Sequence, residues 1–212
     1  MRLRNKKNAV DMVKNSEYVV LEPQKNKGKW NEIFKNNNEI HIEIGMGKGR
    51  FITSMALANP DINYIGIEMY DSVIVTAVKN LAEREEKIEN LRLIRMDATE
   101  IEDVFDKEVG RIYLNFSDPW PKAKHSKRRL TSKEFLTRYD NIFKYEKIIF
   151  QKTDNNDLFE FSMESLKSYG YILKNVTRDL YSEMIEGNIP TEYEQKFSDK
   201  GIKINRLEAY KE

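Results

Sequence analysis

Short β-rich runs alternate with longer stretches of helical periodicity along most of this chain, and that alternation limits the possible folds more than any other feature. IHIEI (40–44), NYIGIE (63–68), LRLIRM (91–96), RIYLNF (111–116) and KIIFQK (147–152) read as strands. Helices are predicted near 48–58, 71–87, 99–106, 132–143 and 155–169. In the last of these, Leu158, Phe161, Ser165 and Leu166 fall on one face before Gly170 as a stop. Such alternation requires a mostly parallel sheet with helices on both faces. Two late strands, about 171–177 and 203–210, lack a full helix between them and are expected to pair antiparallel at the sheet edge. A length of 212 residues suits one domain, expected over 36–212, with 1–35 as a basic, partly ordered arm.

Composition narrows the chemistry. The chain has no cysteine, which excludes disulfides and thiolate metal sites, and only two histidines, His41 and His125, which argues against a metal centre. No apolar stretch approaches the roughly 20 residues of a membrane span, and the start, MRLRNKKNAV, is basic and polar. A cytoplasmic protein without membrane contact is therefore expected. The net charge is only +1, but its distribution is uneven. Arg2, Arg4, Lys6, Lys7 and Lys14 crowd the first segment, and Lys122, Lys124, Lys127, Arg128 and Arg129 crowd a central one. Such clusters form either solvated surface or a local phosphate-binding face.

In an open parallel sheet, ligands bind beyond the carboxyl ends of the strands, where strand order reverses. The first strand is followed there by Glu43-Ile44-Gly45-Met46-Gly47-Lys48-Gly49-Arg50. Arg50 stands where a dinucleotide fingerprint needs its third glycine, which disfavours a dehydrogenase. The acidic-x-G-x-G-x-G form instead resembles the first motif of class I methyltransferases, which implies a site for S-adenosyl-L-methionine. Glu68, ending the second strand, can accept both hydroxyls of a ribose. Asp97, after the third, suits either an adenine amine or an N-cap. Glu43, Glu68 and Asp97 thus put one acid at the end of each of three successive strands.

The fourth strand leads into Asn115-Phe116-Ser117-Asp118-Pro119-Trp120-Pro121-Lys122, where two prolines stiffen a loop that carries a tryptophan. Together with His125 and Lys127-Arg128-Arg129-Leu130, this run closely resembles the signature of the tRNA (guanine-N7)-methyltransferases. The resemblance extends from Glu43 to Asp154 and Thr191-Glu192-Tyr193-Glu194; Ser117 departs from it where many relatives have proline. It implies a Rossmann-like class I methyltransferase of α/β class, with a mostly parallel seven-stranded sheet and an antiparallel edge strand. It further implies tRNA as substrate, no metal, and action as a monomer or homodimer. Glu43, Gly45, Gly47, Glu68, Asp97 and Asp118 would hold or adjoin the cofactor, with Asp118 also catalytic. Lys122, Asp154, Thr191, Glu192, Tyr193 and Glu194 would line the substrate side, and Lys124, His125, Lys127, Arg128 and Arg129 would bind RNA.

Guanine N7 carries a lone pair and no proton at neutral pH, so its methylation needs alignment and charge stabilisation rather than a strong base. A carboxylate also recognises the adjacent N1–H and N2 donors of guanine, which leaves Asp118 and Asp154 as alternatives for that contact. Two rival readings are a methyltransferase for an exocyclic amine and a non-catalytic RNA-binding relative. The first lacks its second proline before the aromatic residue, and intact Gly45, Gly47, Gly49 and Glu68 argue against the second.

Overall fold

The computed structural model describes residues 9–182, 188–192, 194 and 201–212. Seven strands form one sheet: β1 (Ile40–Ile44), β2 (Asn63–Glu68), β3 (Leu91–Arg95), β4 (Val109–Asn115), β5 (Lys147–Thr153), β6 (Ile172–Thr177) and β7 (Asn205–Lys211). Their order is β3-β2-β1-β4-β5-β7-β6. The first five run parallel, and β7 inserts antiparallel between β5 and β6. Burial explains that placement. RLEA (206–209) is buried, whereas most of β6 is exposed or half-exposed, so β6 takes the edge. Strand order reverses between β1 and β4, whose carboxyl ends, Ile44 and Asn115, define the switch point.

The helices are α1 (Ala9–Lys14), α2 (Trp30–Phe34), α3 (Arg50–Ala58), α4 (Asp71–Ala82), α5 (Ile101–Val104), α6 (Lys133–Asp140) and α7 (Asn156–Ser168). Alternation in β1 splits the core into two layers. Ile40, Ile42 and Ile44 face a cluster with Val104, Phe105, Leu136, Tyr139, Phe159 and Leu166 from the α5, α6 and α7 side. On the opposite face, Phe51 and Ile52 of α3 and Ile74, Val75 and Val78 of α4 pack over Tyr64, Leu93 and Tyr113. α7 begins where Asn155 accepts a hydrogen bond from the Leu158 N–H (2.8 Å), a cap worth about 1 kcal/mol.

The segment before β1 is knitted into both layers. Trp30 is fully buried, stacks on Phe105 at 5.5 Å and donates its indole N–H to the Val104 carbonyl at 3.0 Å. On the other side, Tyr18 and Val20 exchange backbone hydrogen bonds with Leu93, extending the β3 edge. Arg2, Arg4, Lys6 and Lys7, expected in the basic arm, lie outside the described residues. No helix among the described residues is long and apolar enough to cross a membrane.

Candidate active site at the sheet switch point

The turn after β1 is built by glycines with positive φ: Gly45 at 80°, Gly47 at 58° and Gly49 at 76°. Side chains built at Gly45 and Gly47 would meet nothing within 4 Å, so this backbone faces open space. At Gly49 a Cβ would come within 2.9 Å of Ala77 Cβ, and glycine there lets α4 approach the turn. The Gly47 N–H donates to Glu68 Oε2 (3.1 Å), while the Met69 and Tyr70 N–H groups donate to Oε1 (2.8 and 3.0 Å). Glu68 therefore braces the glycine turn from the end of β2. Burial raises its carboxyl above the ordinary range, against the pull of those three hydrogen bonds, and the charge of Asp118 raises it further.

Glu43 is 2% exposed and accepts a hydrogen bond from Asn115 Nδ2 at 2.9 Å. Its other oxygen, Oε2, is buried without a partner. Burial pushes this carboxyl up to about 7, against the Asn115 hydrogen bond and the nearby Lys152 charge. A cavity of about 330 Å³ opens beside it, lined by Glu43, the Gly45–Lys48 turn, Arg50, Phe51, Val73, Asn115, Phe116, Thr191 and Glu192. Asn115 and Lys152 were not singled out as site residues by the sequence. For Asn115 a signal existed: a polar residue ends an otherwise apolar strand run.

The run after β4 is strained. Phe116 and Trp120 both have positive φ, 51° and 42°, which side-chain-bearing residues seldom adopt. The surroundings hold them there. The Phe116 N–H donates to the Lys152 carbonyl (2.9 Å), and Arg129 donates to the carbonyls of Pro119 (3.0 Å) and Trp120 (3.1 Å). Arg129 also stacks on Phe161 at 4.3 Å, so its guanidinium is turned into the protein. Arg128 covers the Trp120 ring at 4.8 Å, and His125 meets that ring edge-on at 5.8 Å. Lys122 and Lys124 are exposed, and Lys127 reaches Glu134 at 3.6 Å from an exposed position. Asp118 is exposed and makes no hydrogen bond among the described residues.

Thr191 and Glu192 reach the cavity from the opposite side of the sheet sequence, and Lys48 pairs with Glu192 at 2.9 Å. Thr191 and Glu194 form a capping box. The Glu194 N–H donates to Thr191 Oγ1 (2.9 Å) and the Thr191 N–H donates to Glu194 Oε2 (3.1 Å). Glu194 is fully buried and also receives Lys152 Nζ (2.9 Å), Tyr181 Oη (3.1 Å) and Asn188 Nδ2 (2.9 Å). It anchors the segment, while Thr191 and Glu192 face the cavity. Tyr193 lies outside the described residues.

Of the predicted cofactor and substrate residues that are described, Glu68, Asp97, Asp118, Lys122, Asp154 and Glu194 do not line this cavity. Asp97 caps the following turn, accepting from Thr99 N and Oγ1 at 2.8 and 2.7 Å. Asp154 lines a separate cavity of about 580 Å³ with Asn156, Glu160, Arg178, Ile202 and Lys203. The cap of α7 is Asn155, which leaves Asp154 free of that duty.

Residues 37–207 match the family model described as "Putative methyltransferase". A tRNA (guanine-N(7)-)-methyltransferase of Lachnoclostridium phytofermentans is 55% identical across 100% of this chain and 99% of its own length. Proteins of the same name from Lysinibacillus sphaericus and Bacillus subtilis are 54% and 50% identical, each over 99% of this chain and 97% and 98% of their own. Among solved structures, an antibiotic-related methyltransferase superposes with a TM-score of 0.64 at 17% identity, covering 87% of this chain and 92% of that one. A 16S rRNA (adenine(1408)-N(1))-methyltransferase of Catenulisporales acidiphilia, solved with cosubstrate SAM, gives 0.60 at 13% identity, covering 89% and 90%. These two likenesses concern the fold.

Proposed function

Because the chain belongs to the tRNA (guanine-N7-)-methyltransferase family, we propose that the cavity at the β1–β4 switch point is where a guanine of the tRNA variable loop meets its methyl donor. The enzyme transfers a methyl group from S-adenosyl-L-methionine to N7 of a guanine in tRNA. We place the reaction in the cytoplasm, on a monomer or homodimer.

The residues present fit the cofactor. Gly45 and Gly47 leave the turn after β1 without side chains where a ligand would lie against it. Glu43 Oε2, buried and unpartnered, offers an acceptor to a cationic amine. That pairing of an open glycine turn with an unsatisfied buried carboxylate is the observation that carries the assignment. S-adenosyl-L-methionine supplies a methyl group on a positively charged sulfur. Glu68 would exchange part of its backbone hydrogen bonding for ribose hydroxyls, and Asp97 would reach the adenine end.

The protein then has to align N7 and favour positive charge as it moves onto the purine. We assign that task to Asp118, which is exposed in a loop of strained backbone and whose charge is felt by Glu68. Asp154, Lys122, Thr191 and Glu192 are assigned to the substrate side, and Lys124, His125, Lys127 and Arg128 to the RNA backbone. Methylation of unmodified total tRNA followed by nucleoside mass spectrometry tests the reading, with 7-methylguanosine as the expected product. Methyl on N6 of adenine or N2 of guanine would overturn it.

A further inference from the structure

A second cavity, about 270 Å³, lies on the same face of the sheet as Glu43 and shares Phe51 and Asn115 with the reaction cavity. Its floor is made by neighbouring strands: Arg111 and Tyr113 on β4, Phe150 and Lys152 on β5, and Arg206 and Glu208 on β7. Three of these six are cations. Lys152 is paired with Glu194, and Arg206 with Glu208. Both carboxylates are fully engaged, since Glu208 also accepts from Asn175 Nδ2 (2.9 Å) and Tyr210 Oη (2.7 Å). Arg111 has no carboxylate within ion-pair distance among the described residues. Its contacts are the Phe150 ring at 4.5 Å and a long hydrogen bond to Tyr113 Oη at 3.4 Å. The His41 ring beside it is held neutral, its basicity pushed down to about 3 by burial and by Arg111 itself.

Among the described residues, the cavity therefore keeps one positive charge unmatched and has donors to spare. Arg111 Nε and Arg206 Nη1 are both buried without a hydrogen-bond partner, and Arg206 is only 9% exposed. Arg111 itself is half-buried, and a buried N–H left without an acceptor is costly unless something answers it. Arg111 lies over the Phe150 ring and spends Nη1 on Tyr113, which leaves its Nε–H for an acceptor such as a phosphate oxygen.

We infer that this cavity binds one phosphodiester of the RNA chain next to the target guanosine, through Arg111 and Arg206. This rests on the tRNA reading above and adds a contact outside the 124–129 segment. One phosphodiester carries the single negative charge the cavity lacks. The cavity's rim, Asn188 and Ile189, leads directly into Thr191 and Glu192, which line the reaction cavity. A cofactor carboxylate is the competing source of a single negative charge. The reaction cavity offers that group its own cation in Arg50, which lines it beside the glycine turn.

The test compares wild type, Arg111→Met and Arg111→Lys for tRNA affinity against KCl concentration, with S-adenosyl-L-methionine affinity and melting temperature measured in parallel. Arg111→Met is expected to lower the log–log salt slope by about 0.7 to 0.9, the share of one phosphate. Its cofactor affinity should be unchanged and its melting temperature close to wild type, because Arg111 is half-buried and has no ion pair to lose among the described residues. Arg111→Lys should keep the wild-type slope. A wild-type slope in Arg111→Met overturns the inference, as does a loss of cofactor affinity without a change of slope, which would give the site to the cofactor. Should Arg111→Met fail to fold, Arg111→Gln carries the same comparison. Wild-type product analysis separates the two readings: absence of 7-methylguanosine sinks the function, while an unchanged slope with normal product sinks only this site.

Discussion

Glu43 and Asp118 stand at and just beyond the ends of neighbouring strands, yet they are held in opposite ways. Glu43 is enclosed, bonded to Asn115 and raised in pKa by its own burial, whereas Asp118 is exposed and accepts no hydrogen bond from any described residue. The same contrast separates the two sides of the site. The glycine turn and Glu68 form one hydrogen-bonded unit, and Glu43 is enclosed beside it on Asn115 with one oxygen left for a ligand. Asp118, Lys122 and Lys124 project from a loop whose backbone is fixed but whose polar groups await a partner. A rigid cofactor side and an open substrate side suit an enzyme whose second substrate is a large, already folded polyanion.

The contrast breaks most sharply at the one place where the substrate side is buried. Replacing Glu194 with alanine leaves Lys152 charged and enclosed, and such a loss costs about 3–5 kcal/mol of stability. Denaturant unfolding checks this, and a variant as stable as wild type would show that the anchor is dispensable. Asp118→Asn should behave in the reverse sense. Its unfolding midpoint should not move, while kcat falls by about 10²–10³, the size expected for one electrostatic group facing developing charge. Full turnover with normal cofactor binding would remove Asp118 from catalysis.

The rigid side was also the legible one. β1 and β2 occupy the runs read from the sequence, residue for residue, because β-rich composition and flanking turn residues, Gly45 after β1 and Asn59-Pro60-Asp61 before β2, are local signals. The helix expected over 71–87 stops at Ala82, since Leu81 is its last buried residue and Glu83, Arg84, Glu85 and Glu86 offer no apolar face. Partnerships between distant residues were not legible. Lys152 reads as an ordinary strand residue until Glu194, 42 positions later, is folded against it. Arg129 reads as one more cation in a basic run, and only the fold turns it inward onto Pro119 and Trp120. Thr191-x-x-Glu194 did carry a local sign, the capping-box spacing, and that spacing accounts for the reciprocal hydrogen bonds.

Acid tests the enclosed carboxylate. With its pKa held near 7, Glu43 is largely protonated at pH 6 and ionised at pH 8 in the free enzyme. A cationic ligand favours the ionised form, so cofactor affinity should rise with pH through 7 and fall up to about tenfold per unit below it. Stability runs the other way: because the folded value lies above the ordinary 4.5, ionising Glu43 costs the free protein stability as pH climbs from 4.5 to 7. Glu43→Gln should flatten both profiles. Calorimetric titration of the cofactor across this range decides it, and a pH-independent affinity in the wild type would mean that Glu43 does not meet the charged amine.

The smallest effect separates two cations of the basic run. Lys124 is exposed, so Lys124→Ala should leave the melting temperature unchanged and weaken tRNA binding by only about threefold, with a salt slope shallower by about one phosphate. Arg129 holds the strained loop through two carbonyls and stacks on Phe161. Arg129→Ala should leave the salt slope nearly intact while lowering kcat, because it frees the backbone that presents Asp118. The conservative Arg129→Lys would recover little, since one ammonium cannot reproduce a planar fork spanning two carbonyl oxygens. If both alanine variants instead shift the slope equally, the run acts as one phosphate-binding surface. The division between a loop-holding and an RNA-facing cation then disappears.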